Sequence, residues 1–78
     1  MRVYWRQQFP YREAHMTVTR LDRGWRAQME GKQAEARALV SALESLLGHG
    51  LGNGDNKLVL AAFARDRDHR ERTAASAR

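Results

Sequence analysis

The side chains of this chain that could carry out chemistry are few and far apart. Its three histidines are His15, His49 and His69. Ser41 and Ser45 have no base at a spacing typical of an activated nucleophile, and the glutamates form no pair for acid–base work. We therefore expect no catalytic residues and no enzyme activity.

Two segments resemble binding sites only in composition. Asp66, Asp68 and His69 are metal-ligand types, but arginines alternate with them and would repel a cation. The segment 48–54 has four glycines, yet a phosphate loop needs Gly-Lys-Ser/Thr before a helix and a dinucleotide loop needs a preceding strand. We expect no metal and no cofactor, and we interpret 48–54 as a connector.

Length and charge limit the function further. The 78 residues predict one domain, 1–72, with a disordered tail at 73–78. The net charge is +5, and twelve of the fourteen basic residues are Arg. Arginine suits acidic or nucleoprotein partners, although a solvated basic surface remains an alternative. The absence of cysteine, of a long apolar run and of a signal-peptide core at the start predicts a cytoplasmic protein without a membrane partner.

Three segments alternate between apolar and polar residues, as half-buried strands do. They are Arg2 to Phe9, Ala14 to Leu21 and Trp25 to Glu30. Turn residues separate them, around Pro10 and at Asp22-Arg23-Gly24. Pairing Phe9 with Ala14 and Arg20 with Trp25 puts the apolar residues of all three strands on one face. The same register brings Arg20 beside Trp25, where its guanidinium can stack on the ring.

Two helices are expected to cover the apolar face. Lys32 to Leu47 has an apolar stripe at three- and four-residue spacing, and Gly48 follows it as a left-handed C-cap. Asp55 can N-cap a second helix from residue 56, although 56–64 also fits a strand. The predicted fold is therefore α+β, with a three-stranded antiparallel β-meander covered on one face by two helices.

The opposite face of the sheet, called here the outer face, is the predicted working surface. It combines one aromatic ring with arginines, amides and hydroxyls, which suit phosphate or carboxylate contacts. A polar outer face is also normal for a sheet covered on one side only. The predicted partner-binding residues are Tyr4, Arg6, Thr17, Thr19, Arg26 and Gln28.

One family resembles this chain at the glycine-rich segment. Leu47-Gly48-His49-Gly50-Leu51-Gly52, followed by Asp55-Asn56 and an arginine-rich final helix, is similar to small phage anti-CRISPR proteins of the type I-F class. The basic, aromatic start at 2–5 resembles them too. The chain lacks a segment that the family has between the third strand and the first helix, and its tail is longer.

The resemblance implies a sheet of three to four strands covered by two helices. It also implies an inhibitor whose outer sheet face binds the backbone subunits of a guide-RNA surveillance complex and blocks target-DNA pairing. Tyr4 would be the main contact, with Arg6, Thr19, Arg26 and Gln28 nearby. The alternatives are a small basic nucleic-acid-binding module that uses Arg6, Arg26 and the tail arginines, and a homodimer built on strand edges or the second helix.

Overall fold

A computed structural model of the chain describes residues 2–76. Its elements, in chain order, are four strands and two helices: β1 (Val3–Tyr11), β2 (Ala14–Leu21), β3 (Gly24–Met29), β4 (Lys32–Ala36), α1 (Leu39–Leu47) and α2 (Asn56–Ser76). A short 3-10 turn, Asn53–Asp55, precedes α2. The strands form one antiparallel sheet in the order β1-β2-β3-β4. The α+β antiparallel class is confirmed, but the sheet has four strands instead of three.

The fourth strand replaces the first half of the predicted first helix. Met29 pairs with Lys32 across a two-residue turn in which Glu30 and Gly31 both have positive φ, 50° and 79°. Positive φ at both central residues matches the right-handed twist of a hairpin. The Lys, Gln, Ala and Glu of 32–36 are good helix formers, and tertiary pairing overrides that preference. The first helix therefore begins at Leu39, and Lys32 was wrongly assigned to it.

The register between β2 and β3 is as predicted, whereas that between β1 and β2 is shifted by two residues. Arg20 pairs with Trp25. Phe9, however, pairs with Met16 instead of Ala14, because β1 runs through Pro10 to Tyr11. Proline is tolerated there because β1 is an edge strand whose outward N–H groups need no partner in the sheet. A shift of two residues preserves the side-chain faces, so Trp5 and Phe9 still point into the core.

Helix α1 packs on β3 and β4 through Leu39, Ala42 and Leu43, whereas Val40 is exposed. It ends as predicted at Gly48, which has φ 78° and donates its N–H to the Glu44 carbonyl at 2.8 Å. Glycine adopts this left-handed conformation without the Cβ clash that other residues meet.

Helix α2 confirms the helical alternative for residues 56–64 and continues to Ser76. Four residues of the predicted tail 73–78 are therefore helical, and the other two lie outside the described residues. The buried positions Leu58, Ala62 and Asp66 recur every fourth residue and pack against β1. No helix within residues 2–76 is both long enough and apolar enough to cross a membrane.

An aromatic cluster joins the sheet to α2. The rings of Trp5 and Trp25 meet edge to face at 5.8 Å between centroids, and Phe63 of α2 meets Trp25 in the same way at 5.8 Å. Such pairs add about 0.5–1.5 kcal/mol each to the burial of their apolar area. The Arg20 guanidinium lies 4.7 Å from the centre of the Trp25 ring, which confirms the predicted stack.

Candidate functional site

Neither helix packs on the outer face of the sheet, since both cover the face that holds the core. Two cross-strand rows form the centre of the outer face. One row is Arg6, Thr19, Arg26 and Glu35, and the other is Gln8, Thr17, Gln28 and Gln33. The predicted pairing of Phe9 with Ala14 would put Tyr4 beside Thr19 and Arg6 beside Thr17, and the two-residue shift of β1 explains the difference.

The two predicted arginines of this face differ in what they can offer a partner. The Arg26 Nε donates to the Glu35 carboxylate at 2.8 Å, so its charge is neutralised across the β3–β4 pair. Arg6 is exposed, and no carboxylate of residues 2–76 pairs with it. Arg6 is therefore the guanidinium of the outer face that is available for an acidic group. Glu35 was missed because residues 32–36 were read as helix.

Thr17 and Gln28 contribute to a shallow depression beside Arg6. The depression has a volume of about 320 Å³, and His15 and Lys32 also line it. The Gln28 side-chain amide donates to the Gln33 side-chain oxygen at 3.2 Å, so one amide pair bridges β3 and β4. Amides and hydroxyls both donate and accept hydrogen bonds, and they suit a polar partner surface.

Thr19 differs from its predicted role because it is 1% exposed. It lies between Arg6 and Arg26 in the cross-strand row. Its hydroxyl has no hydrogen-bond partner among the described residues. A hydroxyl at this depth cannot contact a partner unless its neighbours move, so Thr19 is a structural residue of this face.

Tyr4 does not lie with the other predicted residues. The β1–β2 register shifts between Val3 and Trp5, and Tyr4 falls at that irregularity. Its ring lies 6.0 Å from the His69 ring of α2, and the Arg2 guanidinium is 5.4 Å from its centre. Regular alternation predicts Tyr4 on the outer face, whereas the irregularity turns its ring toward α2. The outer face therefore has no aromatic anchor at this position.

A second group of polar side chains gathers between β1 and α2 around Asp66. The Trp5 indole N–H donates to Asp66 Oδ1 at 3.0 Å. Arg20 Nε lies 3.5 Å from the same oxygen, and Arg70 Nε lies 3.7 Å from Oδ2. Asp66 is 7% exposed, although arginines flank it on both sides in the sequence. Asp66 lies four residues after Ala62, and this spacing could have indicated its burial. It was missed because a charged residue is not expected in an apolar stripe.

Arg65 also packs inward from this segment. Its guanidinium lies 5.2 Å from the centre of the Trp5 ring, and its Nε donates to the Gln7 side-chain oxygen at 3.1 Å. The aliphatic stem and planar head of arginine can cover an aromatic ring that would otherwise face water. Arg65 thus closes the β1 edge of the core.

The glycine-rich segment is arranged around Asp55. The Asp55 carboxylate accepts the Gly52 N–H at 2.8 Å. This hydrogen bond lowers the pKa of Asp55 below its ordinary value, and the neighbouring Tyr11 hydroxyl lowers it further. Burial raises the pKa of Tyr11, and Asp55 raises it further. The predicted N-cap residue Asp55 thus lies in the 3-10 turn, where its carboxylate accepts the Gly52 N–H, and Tyr11 at the end of β1 lies beside it.

Within the described part of the chain, no three His, Asp or Glu side chains are close enough together to hold a metal ion. Asp66 of the composition-based trio faces Trp5 and Arg20, while Asp68 forms an ion pair with Arg72 at 3.1 Å. The carboxylates of Asp66 and Asp68 therefore contact different residues.

No protein-family model, no curated protein and no solved structure matches this chain.

Proposed function

We propose that this chain is a non-enzymatic binding protein that docks on a protein or nucleoprotein partner through its outer sheet face. The observation that carries the proposal is a polar surface left uncovered by both helices. On it Arg6 has no carboxylate partner within residues 2–76 and lines the same depression as the hydrogen-bonded amides of Gln28 and Gln33. Thr17 adds a half-buried hydroxyl to this surface.

The partner that we propose is a CRISPR RNA-guided surveillance complex, and the action is to block its binding of target DNA. A four-stranded antiparallel sheet with two helices on one face lies within the range that the anti-CRISPR resemblance implies. The protein would then act in the cytoplasm of the phage-infected cell. Tyr4, which the resemblance would make the main contact, lies against His69, so the proposal relies on Arg6, Thr17 and Gln28 instead.

The test compares two substitutions that each reverse the charge of one arginine. Arg6→Glu alters the outer face, whereas Arg67→Glu alters an exposed position of α2. Binding to a purified type I-F surveillance complex, and the inhibition of its target-DNA binding, are measured for both. We expect Arg6→Glu to weaken binding by about 10- to 100-fold and Arg67→Glu by less than about twofold. Equal effects, or no binding by the parent, would overturn the proposal.

Arg26 is a poorer probe than Arg6. Replacing it by Glu would remove the ion pair with Glu35 and place two carboxylates on opposite strands. Like charges directly across a sheet destabilise it, so a loss of binding would not separate contact from folding.

The alternative function, a basic nucleic-acid-binding module, is favoured by one feature of α2. Arg67, Arg70 and Arg72 are exposed along one helix. This alternative predicts affinity for free DNA or RNA that falls steeply with added salt. It also predicts that Arg67→Glu weakens that affinity as much as Arg6→Glu does. The absence of any mobility shift at low salt would exclude it.

A further inference from the structure

A cleft between the start of β1 and the second half of α2 is separate from the outer face. Its volume is about 640 Å³, which lies within the range of small-molecule sites. Arg2 lines it just before β1, Val3 and Tyr4 line it from β1, and Arg20 lines it from β2. The lining residues from α2 include Asp66, His69 and Arg70.

The charges of this cleft favour an anion. Arg2, Arg20 and Arg70 contribute three positive charges and Asp66 one negative charge, which leaves an excess of two. Asp66 is already satisfied by the Trp5 indole and Arg20. An excess of two matches the dianion of a phosphate monoester, whose oxygens fit the fork of a guanidinium.

One of the three arginines is held in place before any ligand arrives. Arg20 donates through Nη1 to the Gly24 carbonyl at 2.8 Å and stacks on Trp25. Its Nε faces Asp66 at 3.5 Å. These contacts fix the guanidinium plane, so a ligand bound there does not have to immobilise a free side chain. Arg70, with a side chain 72% exposed, remains able to move toward the ligand.

The walls of the cleft favour a ligand with a flat ring next to its phosphate. The Tyr4 ring is 38% exposed and lies 6.0 Å from the His69 ring. Val3, 50% exposed, adds an aliphatic wall. Aromatic faces stack on nucleobases without selecting a sequence. A carboxylate ligand or an acidic peptide would use the arginines but would not stack on the Tyr4 ring, over which the Arg2 guanidinium lies at 5.4 Å.

We propose that this cleft binds a nucleoside monophosphate, either as a free nucleotide or as the phosphorylated end of a nucleic acid strand. Arg70 and Arg2 contact the phosphate beside the fixed Arg20, and the base stacks on Tyr4. The site does not depend on the function proposed for the outer face.

The test titrates the full chain with AMP and follows heat release by calorimetry. AMP should bind with a Kd below about 1 mM, and adenosine should bind at least about tenfold more weakly. Arg70→Gln should weaken AMP binding by about tenfold, because a charge-assisted hydrogen bond is lost. The matched control is Arg72→Gln: its side chain is 74% exposed and also pairs with an aspartate four residues earlier, but it does not line the cleft. It should change binding by less than about twofold.

A second variant separates stacking from charge. Tyr4→Leu should weaken AMP binding and leave inorganic phosphate binding unchanged, while Tyr4→Phe should retain both. Circular dichroism verifies that each variant is folded. Oligonucleotides with a 5′-phosphate or a 5′-hydroxyl identify the source: tighter binding of the phosphorylated strand than of AMP points to strand ends, and the reverse order points to free nucleotide. The proposal is overturned if neither AMP nor the 5′-phosphorylated strand binds saturably, if adenosine binds as tightly as AMP, or if both arginine variants lose affinity equally.

Discussion

The Trp5 indole N–H donates to the Asp66 carboxylate at 3.0 Å, and this hydrogen bond joins β1 to α2 across 61 residues of sequence. Both partners are nearly buried, at 5% and 7% exposure. A buried donor that loses its acceptor keeps its desolvation cost without compensation. The bond therefore fixes where α2 lies on the sheet, and it sets one wall of the cleft beside Tyr4.

Asp66→Ala is expected to lower the free energy of unfolding by about 2–3 kcal/mol. The change leaves the Trp5 N–H unsatisfied and Arg20 without its carboxylate. The matched control is Asp68→Ala, two residues along the same helix, whose 52% exposed side chain pairs with Arg72. It should cost less than about 1 kcal/mol. Urea denaturation measures both, and equal losses would contradict a structural role for Asp66.

Acid should destabilise the connector through Asp55. The folded state lowers the pKa of this carboxyl below 3.8, chiefly through the Gly52 N–H and then through the Tyr11 hydroxyl. A lowered folded pKa contributes stability above the unfolded pKa, and that stability is lost as the pH falls through the folded pKa. Asp55→Asn should therefore flatten the dependence of stability on pH below about 4.

Tyr11→Phe is the companion variant for this acid dependence. It removes the smaller contribution to the lowered pKa of Asp55, that of the Tyr11 hydroxyl, and leaves the Gly52 N–H in place. The dependence of stability on acid pH should therefore become weaker without disappearing. The melting temperatures of both variants are measured between about pH 2 and pH 6. An unchanged acid dependence in Asp55→Asn would show that other carboxyls produce it.

The sequence predicted the β2–β3 hairpin because alternation and the turn at Asp22-Arg23 agreed. It predicted the Arg20–Trp25 stack for the same reason, since the cross-strand position follows directly from the register. The end of α1 was predictable from Gly48, because the left-handed backbone conformation at a helix C-cap favours glycine. These features depend on neighbours in sequence or across one turn.

The features that failed depend on contacts between distant segments. Lys32 to Ala36 has a composition typical of helices, and only pairing with β3 makes it a strand. Pro10 suggested a turn, and only the position of β1 at the edge of the sheet permits it within a strand. The placement of Tyr4 depends on an irregularity that alternation cannot show. Alternation therefore predicted the outer face of the sheet, but Tyr4 lies toward α2, and Thr19 lies on the predicted face but is buried.

Gly24→Ala should destabilise the fold because the strand β3 approaches the end of β4 closely there. A Cβ at Gly24 would lie 2.6 Å from the Ala36 carbonyl oxygen, a backbone atom that cannot rotate away. We expect a loss of about 1–3 kcal/mol in the free energy of unfolding. Gly54→Ala is the control, since a Cβ there meets no atom within 4 Å. A melting temperature for Gly24→Ala equal to that of the control would contradict the close approach.

Glu30→Asn should stabilise the β3–β4 hairpin. Glu30 has φ 50° at the first central position of the turn, a conformation that asparagine adopts more readily than glutamate. The gain should be about 0.5 kcal/mol, and Gly31→Ala, at φ 79°, should cost about 1 kcal/mol. Chemical denaturation distinguishes these opposite signs. A loss of stability in Glu30→Asn would place the turn in another conformation.

Thr19→Val tests whether the predicted binding residue is a structural one. The substitution keeps the shape and the strand preference of the side chain and removes a buried hydroxyl that has no partner among the described residues. Its removal should be neutral or should raise the free energy of unfolding by up to about 1 kcal/mol. Thr17→Val, on the same face of β2 and only half-buried, is the control for loss of a hydroxyl that a partner can reach. Thr19→Val should keep full affinity for the partner of the outer face while Thr17→Val weakens it, and a loss of affinity in Thr19→Val alone would return Thr19 to the binding surface.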